Sequence, residues 1–169
     1  SSVLKVIDAA SSMLLNSSVA LFIIGEGSLR ADCKRRAKVL GIEKQIVYLP
    51  STVNIGQYLK AAHLVFITDV DDYSEDIMLQ AAYAKTPMLL AKTDHRLDLF
   101  SHRDSAYFCD PNEIELLADG LMILMNNVEL RKQLTDQALA AVQAHFHQDP
   151  RVFQRKYRES IEGAFFVSG

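Results

Sequence analysis

The chain is predicted to form an α/β domain, a Rossmann-like doubly wound parallel sheet, and three observations carry that prediction. Short, wholly apolar runs alternate with segments of helical periodicity. The run Val19 to Ile24 breaks at Gly25-Glu26-Gly27 and passes at once into a helical pattern. Strands this apolar, about ten residues of helix apart, suit a parallel sheet covered on both faces better than an antiparallel sheet with one wet face.

The elements are taken up by the chain in order. Val3, Val6, Ile7, Ala10, Met13 and Leu14 recur at helical spacing, and Asn16-Ser17-Ser18 ends that helix before the strand Val19 to Ile24. Ser28 is the expected N-cap of a helix over Leu29 to Leu40, with Gly41 beyond its end. Strands are then expected near Ile46 to Leu49, Leu64 to Thr68, Met88 to Ala91 and Ala106 to Phe108, most of them separated by helical segments. Asp110-Pro111-Asn112-Glu113 combines a capping side chain, a proline for the first helical position and an early acid. Ile114, Leu117, Leu121 and Leu124 then make one apolar face. Two more helices are expected, Val128 to Phe146 and Pro150 to Phe165. No repeat, low-complexity tract or linker divides the chain, so residues 1–169 read as one domain.

Composition narrows the function. Hydrophobic residues make up 49% of the chain and charged residues 23%, which is enough apolar material for a core. The net charge of −3, with no basic block, argues against nucleic acid as a partner. No apolar run approaches the roughly 20 residues of a membrane span and the start lacks a basic leader, so the chain reads as cytoplasmic. Cys33 and Cys109 have no C-x-x-C spacing and read as buried or idle thiols. The five histidines show neither a Ser-His-Asp order nor an H-E-x-x-H spacing, so each reads as a structural or surface residue, with His95, beside Arg96 after the strand Met88 to Ala91, the first exception to consider. The chemistry-bearing signal is the strand, glycine pair and helix at Gly25 and Gly27. Nucleotide-binding sheets use that element to aim backbone N–H groups at phosphates.

With Gly25-Glu26-Gly27-Ser28-Leu29-Arg30, Ala62-His63-Leu64-Val65-Phe66-Ile67, Thr86-Pro87-Met88-Leu89-Leu90-Ala91, Phe108-Cys109-Asp110-Pro111 and Asn126-Asn127-Val128-Glu129-Leu130-Arg131 in that order, nearly the whole chain resembles the C-terminal, donor-binding half of the retaining GT-B glycosyltransferases of group 1. The resemblance implies that the substrate is a nucleotide-diphosphate sugar, without further cofactor, and that the acceptor is a glycan, lipid or protein. It also implies a set of site residues. The family signature of two glutamates eight residues apart falls on Asp72 and Gln80, neither of which is glutamate. Asp72 then meets the donor sugar as the catalytic acid position and Gln80 holds ribose hydroxyls. Tyr73, Ser74 and Glu75 stand where the family has a glycine turn, Ser74, Glu75 and Asp76 present the helix N-terminus, and Gly25 and Gly27 shape the neighbouring turn. No glycine occurs from Gln57 through Pro111, so Arg96, on Asp94-His95-Arg96, is the candidate phosphate ligand.

Charge adds a second pattern. Asp69, Asp71, Asp72, Glu75 and Asp76 place five carboxylates in eight residues at a strand end. That cluster reads either as a solvated loop whose acids favour a helix N-terminus, as a modified sugar or partner site, or as an acid-x-acid metal pair at Asp69-Val70-Asp71. The tail Val152-Phe153-Gln154-Arg155-Lys156-Tyr157 has a basic amphipathic face, suited to packing on the sheet, to peripheral contact with an anionic membrane or to the missing domain. The resemblance further implies that a first strand carrying cations and an N-terminal acceptor-binding domain lie outside this chain, which alone is then inactive. The alternative function is a degenerate, non-catalytic domain serving as a scaffold or regulatory module.

Overall fold

The computed structural model describes residues 2–16, 18–68, 72–92 and 99–146, without the side chains of Asp72 and Tyr73. Six helices and five strands are present among them: α1 (Ser2–Leu14), β1 (Leu21–Ile24), α2 (Arg30–Val39), β2 (Ile46–Leu49), α3 (Ile55–Ala61), β3 (Val65–Ile67), α4 (Asp72–Ala84), β4 (Met88–Ala91), β5 (Tyr107–Cys109), α5 (Ile114–Asn126) and α6 (Val128–Phe146). A 3-10 turn at Glu43–Gln45 leads into β2.

Every strand pairing is parallel. β1 lies beside β2, with Leu21 opposite Ile46 and Ile24 opposite Leu49, and β3, β4 and β5 are joined in that order. Among the described residues the expected single sheet is two sheets of two and three strands, with no ladder connecting β1 to β3. The period-2 pleat sorts the strand side chains into two layers. Leu21, Ile23, Ile46, Tyr48, Leu64, Phe66, Leu89, Tyr107 and Cys109 pack with α1, α2 and α5. Val65, Ile67, Met88, Leu90, Ala106 and Phe108 pack with α3, α4 and α6. β4, central in its sheet, is buried at all four positions. Truncating a fully buried leucine such as Leu89 to alanine costs about 2–5 kcal/mol. Gly120 brings α5 close to this layer, since a Cβ there would stand 3.3 Å from the Tyr107 ring and 3.4 Å from Leu89.

Two expected caps are corrected. α2 begins at Arg30, one residue later than expected, with Leu29 rather than Ser28 at the cap position and no side chain capping it. The turn is instead closed by the Arg30 N–H donating to the Gly27 carbonyl at 3.1 Å. Asp110 does not cap α5, which starts at Ile114 after Glu113. Its carboxylate accepts from the Asn112 N–H at 2.8 Å, an Asx turn that uses up the oxygen before the helix begins. The expected helix Pro150 to Phe165 lies outside the described residues. Both cysteines are buried and unpaired with one another.

Candidate functional site

Because all strands run one way, their carboxyl ends meet along one edge, and the loops leaving that edge are where an open α/β sheet gathers its ligand-binding groups. After β1, Gly25 adopts φ +136°, which a side chain rarely tolerates, and its N–H donates to Leu49 O at 3.0 Å. That donor is committed to the ladder, so Gly25 serves the shape of the turn. A Cβ on Gly25 or Gly27 would meet nothing within 4 Å, so the space beside the turn is open. The cations after the turn are taken up by an aromatic ring: Arg30 and Lys34 lie 5.5 and 5.7 Å from the centroid of the Tyr48 ring.

After β2, Asn54 caps α3 by accepting from the Gly56 N–H at 3.2 Å. Gly56 is the point at which α4 reaches across. A Cβ on it would lie 3.8 Å from Gln80 Oε1 and 3.3 Å from Asn54 Oδ1, so a half-buried carboxamide and a capping carboxamide converge on bare backbone. Neither Asn54 nor Gly56 is among the site residues expected from sequence. Their signal is the Asn-x-Gly spacing before a short helix, legible as a capped turn.

After β3, α4 opens at Asp72, whose backbone belongs to the helix and whose side chain lies outside the description. Ser74 is buried, 5% exposed, and faces inward, so what it presents at this edge is backbone. Glu75 is half-buried and Asp76 exposed. The remainder of the expected acidic cluster, Asp69 and Asp71, lies outside the described residues, as do His95 and the candidate phosphate ligand Arg96. Among the described residues no group of three or more His, Cys, Asp or Glu side chains is placed to hold a metal ion. No helix among them is long and apolar enough to cross a membrane. His102 lies at the opposite edge, before β5, where its Nδ1 accepts from the Phe108 N–H at 2.9 Å.

A domain of parallel strands, helices on both faces and a glycine turn at the carboxyl edge has the Rossmann-like α/β architecture. Residues 2–140 match the family of glycosyl transferases group 1, and the chain belongs to that family. An uncharacterized glycosyltransferase of Haemophilus influenzae is 25% identical over 119 residues, 70% of this chain and 34% of that protein. The structure of Anabaena HepE in complex with UDP and glucose superimposes with a TM-score of 0.75 at 18% identity, over 94% of this chain and 44% of that one. The C-terminal domain of the group 1 protein LpcC from Francisella tularensis gives 0.74 at 18% identity, over 85% of this chain and 78% of that domain. This chain therefore spans about a third of the length of the Haemophilus relative and corresponds in fold to the GT-B glycosyltransferase half expected from the resemblance.

Proposed function

We propose that this domain binds the nucleotide-diphosphate sugar for a glycosyl transfer whose acceptor is held by a further, N-terminal domain of the same polypeptide. The observation that carries the reading is the meeting of Gln80 with Asn54 and Gly56 at the start of α3. In this reading the Gln80 carboxamide, able both to accept from and donate to vicinal hydroxyls, stands beside the bare backbone of Gly56 together with the Asn54 carboxamide. Asp72 is eight residues before Gln80 on the same helix, about 12 Å along its axis. That separation suits a ligand whose sugar and ribose are held apart by a diphosphate. In this reading Asp72 faces the sugar and Gln80 the ribose. With α4 starting at Asp72, its backbone from Asp72 through Ser74 offers N–H groups and the positive end of the helix dipole to the diphosphate, while Glu75 and Asp76, expected to share that role, give their amides to the helix's own ladder. Gly25 and Gly27 keep the adjoining turn open, and Arg96 neutralises phosphate charge. The UDP in HepE is a property of that protein; it motivates uridine nucleotides as the first ligands to try. Membership of a family of transferases favours the enzyme over the scaffold reading.

Titration calorimetry of the full-length polypeptide with UDP, GDP and ADP and their sugars tests this. Submillimolar, sugar-selective binding is expected, weakened at least about tenfold by Gln80→Ala, the loss of one or two hydrogen bonds to hydroxyls. Binding of no nucleotide at millimolar concentration, or binding indifferent to Gln80→Ala, would overturn it.

A further inference from the structure

The outer edge of the smaller sheet carries a concentration of charge that the candidate site does not use. Residues 30–44, α2 and the turn into β2, hold six lysines and arginines against two carboxylates, in a chain whose net charge is −3. Asp32 pairs with Arg35, and Arg36 pairs with Asp8 of α1. Among the described residues Arg30, Lys34 and Lys38 make no ion pair. These three recur every fourth residue, so they form one stripe along α2. We propose that this stripe and the free edge of β2 form a docking site for an extended, acidic segment of a partner protein, which adds a strand beside β2. The proposal does not rest on the nucleotide-sugar reading.

Backbone direction defines the edge. Among the described residues β2 has β1 on one side and no strand on the other. The Gly25 N–H donates to the Leu49 carbonyl. Backbone groups alternate sides along a parallel ladder, so Val47 and Leu49 serve β1 while Ile46 and Tyr48 turn their N–H and C=O groups outward. An edge of this kind is a template for a further strand. The side chains of Ile46 and Tyr48 lie on the α2 face, where with Lys34, Ala37, Lys38 and Glu43 they line a cavity of about 340 Å³. Buried Ala37 and Ile46 give it an apolar floor, and the exposed Lys34 and Lys38 give it a cationic rim.

Charge defines the occupant. Arg30 and Lys34 approach the same ring, that of Tyr48, and two like charges brought together repel one another until an anion stands between them. Side chains of an added strand alternate between the two faces. Those turned to α2 run their stems over Ala37 and Ile46 and set carboxylates against Arg30, Lys34 and Lys38. Those turned the other way cover Val47, which is 38% exposed. The segment therefore alternates acidic with apolar residues. Glu43, at the entrance to β2, repels an acid there and places the carboxylates toward Tyr48. A second copy of this chain is a poor occupant, because edge-to-edge pairing of β2 would bring the same cations together. An anionic bilayer would meet the stripe but leave the outward backbone groups of Ile46 and Tyr48 unused.

The test uses the full-length polypeptide and a short fluorescent peptide that alternates valine with glutamate. Anisotropy is expected to show submillimolar binding that weakens with added salt, and at least about tenfold when Lys34→Glu and Lys38→Glu are combined, both changes lying on the exposed surface of α2. The same peptide N-methylated on the residues that face β2 keeps its charge but loses the donors for pairing, and should bind at least about tenfold more weakly. With isotope-labelled tyrosine incorporated, NMR should show the Tyr48 amide exchanging about tenfold more slowly when about nine-tenths of the chain is occupied, and the Tyr58 amide in α3 unchanged. Absence of binding at millimolar peptide, equal binding of the N-methylated peptide, or a Tyr48 amide indifferent to the peptide would overturn the proposal. So would phosphatidylglycerol vesicles that bind through Lys34 and Lys38 in place of the peptide, or a concentration-dependent dimer that the double variant abolishes.

Discussion

Lys85 occupies at the end of α4 the backbone position that Gly41 occupies at the end of α2. Gly41 has φ +70° and Lys85 φ +55°. In each case the residue's N–H donates back three residues, to Lys38 O at 3.1 Å or Ala82 O at 3.2 Å. The next N–H donates back five, to Ala37 O at 3.0 Å from Ile42 or Ala81 O at 2.9 Å from Thr86. Both helices thus close in a Schellman motif, and both pack the following residue, Ile42 or Thr86, into the interior. Thr86 adds a tether, its hydroxyl donating to Leu59 O at 2.7 Å and tying the end of α3 to the start of β4.

The difference between the two residues is testable. A lysine in the left-handed region costs roughly 1–2 kcal/mol that glycine avoids, part of which glycine returns through its freer unfolded state. Lys85 also pairs with Asp136 at 3.0 Å, but both side chains are about half exposed, so the pair contributes about 0–1 kcal/mol. Lys85→Gly is expected to stabilise by about 0.5–1 kcal/mol in urea unfolding, Lys85→Ala to give no gain, and Gly41→Ala to lose about 1 kcal/mol. A destabilised Lys85→Gly would show that the ion pair outweighs the backbone.

These helix ends also separate what is legible in the chain from what is not. Ile46–Leu49, Met88–Ala91 and Val128–Phe146 form with the bounds expected from sequence, because each is an apolar or periodic run closed by turn residues on both sides. Gly41 announces its helix end by being glycine, whereas Lys85 is left-handed only because the chain must turn into β4. Ser28 and Asp110 mislead for a related reason: a short polar side chain suits a cap or a turn equally, and the neighbouring geometry decides. At the site, the spacing of Asp72 and Gln80 is visible along the chain. The approach of Gln80 to Gly56 joins residues 24 apart in sequence, and no local pattern encodes it.

Tyr48 offers a cleaner energetic test. Its hydroxyl is buried without a hydrogen-bond partner, and burial is the main cause that pushes its pKa above the ordinary 10.0. An unsatisfied buried hydroxyl costs about 1–3 kcal/mol, so Tyr48→Phe should leave stability unchanged or raise it, with the ring still packed against Arg30 and Lys34. A loss above about 1 kcal/mol in thermal unfolding would mean that the hydroxyl makes a bond of ordinary worth.

His102 sets a pH dependence. Desolvation first, then the charges of Arg103 and Lys92, lower its pKa below 6.5, and Nδ1 must be unprotonated to accept from Phe108. A folded-state value below the unfolded one means that the unfolded chain binds the extra proton in between. The stabilisation is complete above pH 6.5 and is lost as the pH falls from there through the lowered folded value. The ring is exposed, so the effect is small. His102→Gln, which keeps an acceptor but does not titrate, should flatten this part of the stability profile between about pH 7 and 5; an unchanged slope would assign it to other groups.

Both thiols should be inert in the folded chain. Burial raises the pKa of Cys33, and that of Cys109 is pushed up to about 11, by burial first and the Asp110 charge second. The thiolate is the reactive form, so a disulfide-exchange reagent at neutral pH should titrate neither cysteine until the chain unfolds. Rapid labelling of Cys109 under native conditions would show that β5 opens readily.

Gly56 separates stability from binding in one substitution. It is the second residue of α3 and shows no strained φ, so alanine is free to adopt its conformation and should gain up to about 1 kcal/mol of helix propensity. Against this stands the 3.3 Å approach of the new methyl to Asn54 Oδ1, which must give by a few tenths of an ångström, and the 3.8 Å contact with Gln80 Oε1, which is ordinary. The unfolding midpoint of Gly56→Ala is therefore expected to hold or rise slightly. If nucleotide sits over this backbone, its affinity should fall about tenfold in the same variant, because the methyl occupies the ground a ribose would need. Stability and affinity moving in opposite directions would place the ligand at the start of α3. An unaltered affinity with an unaltered fold would move the site away from Gly56 and leave Gln80 as a packing residue between α3 and α4.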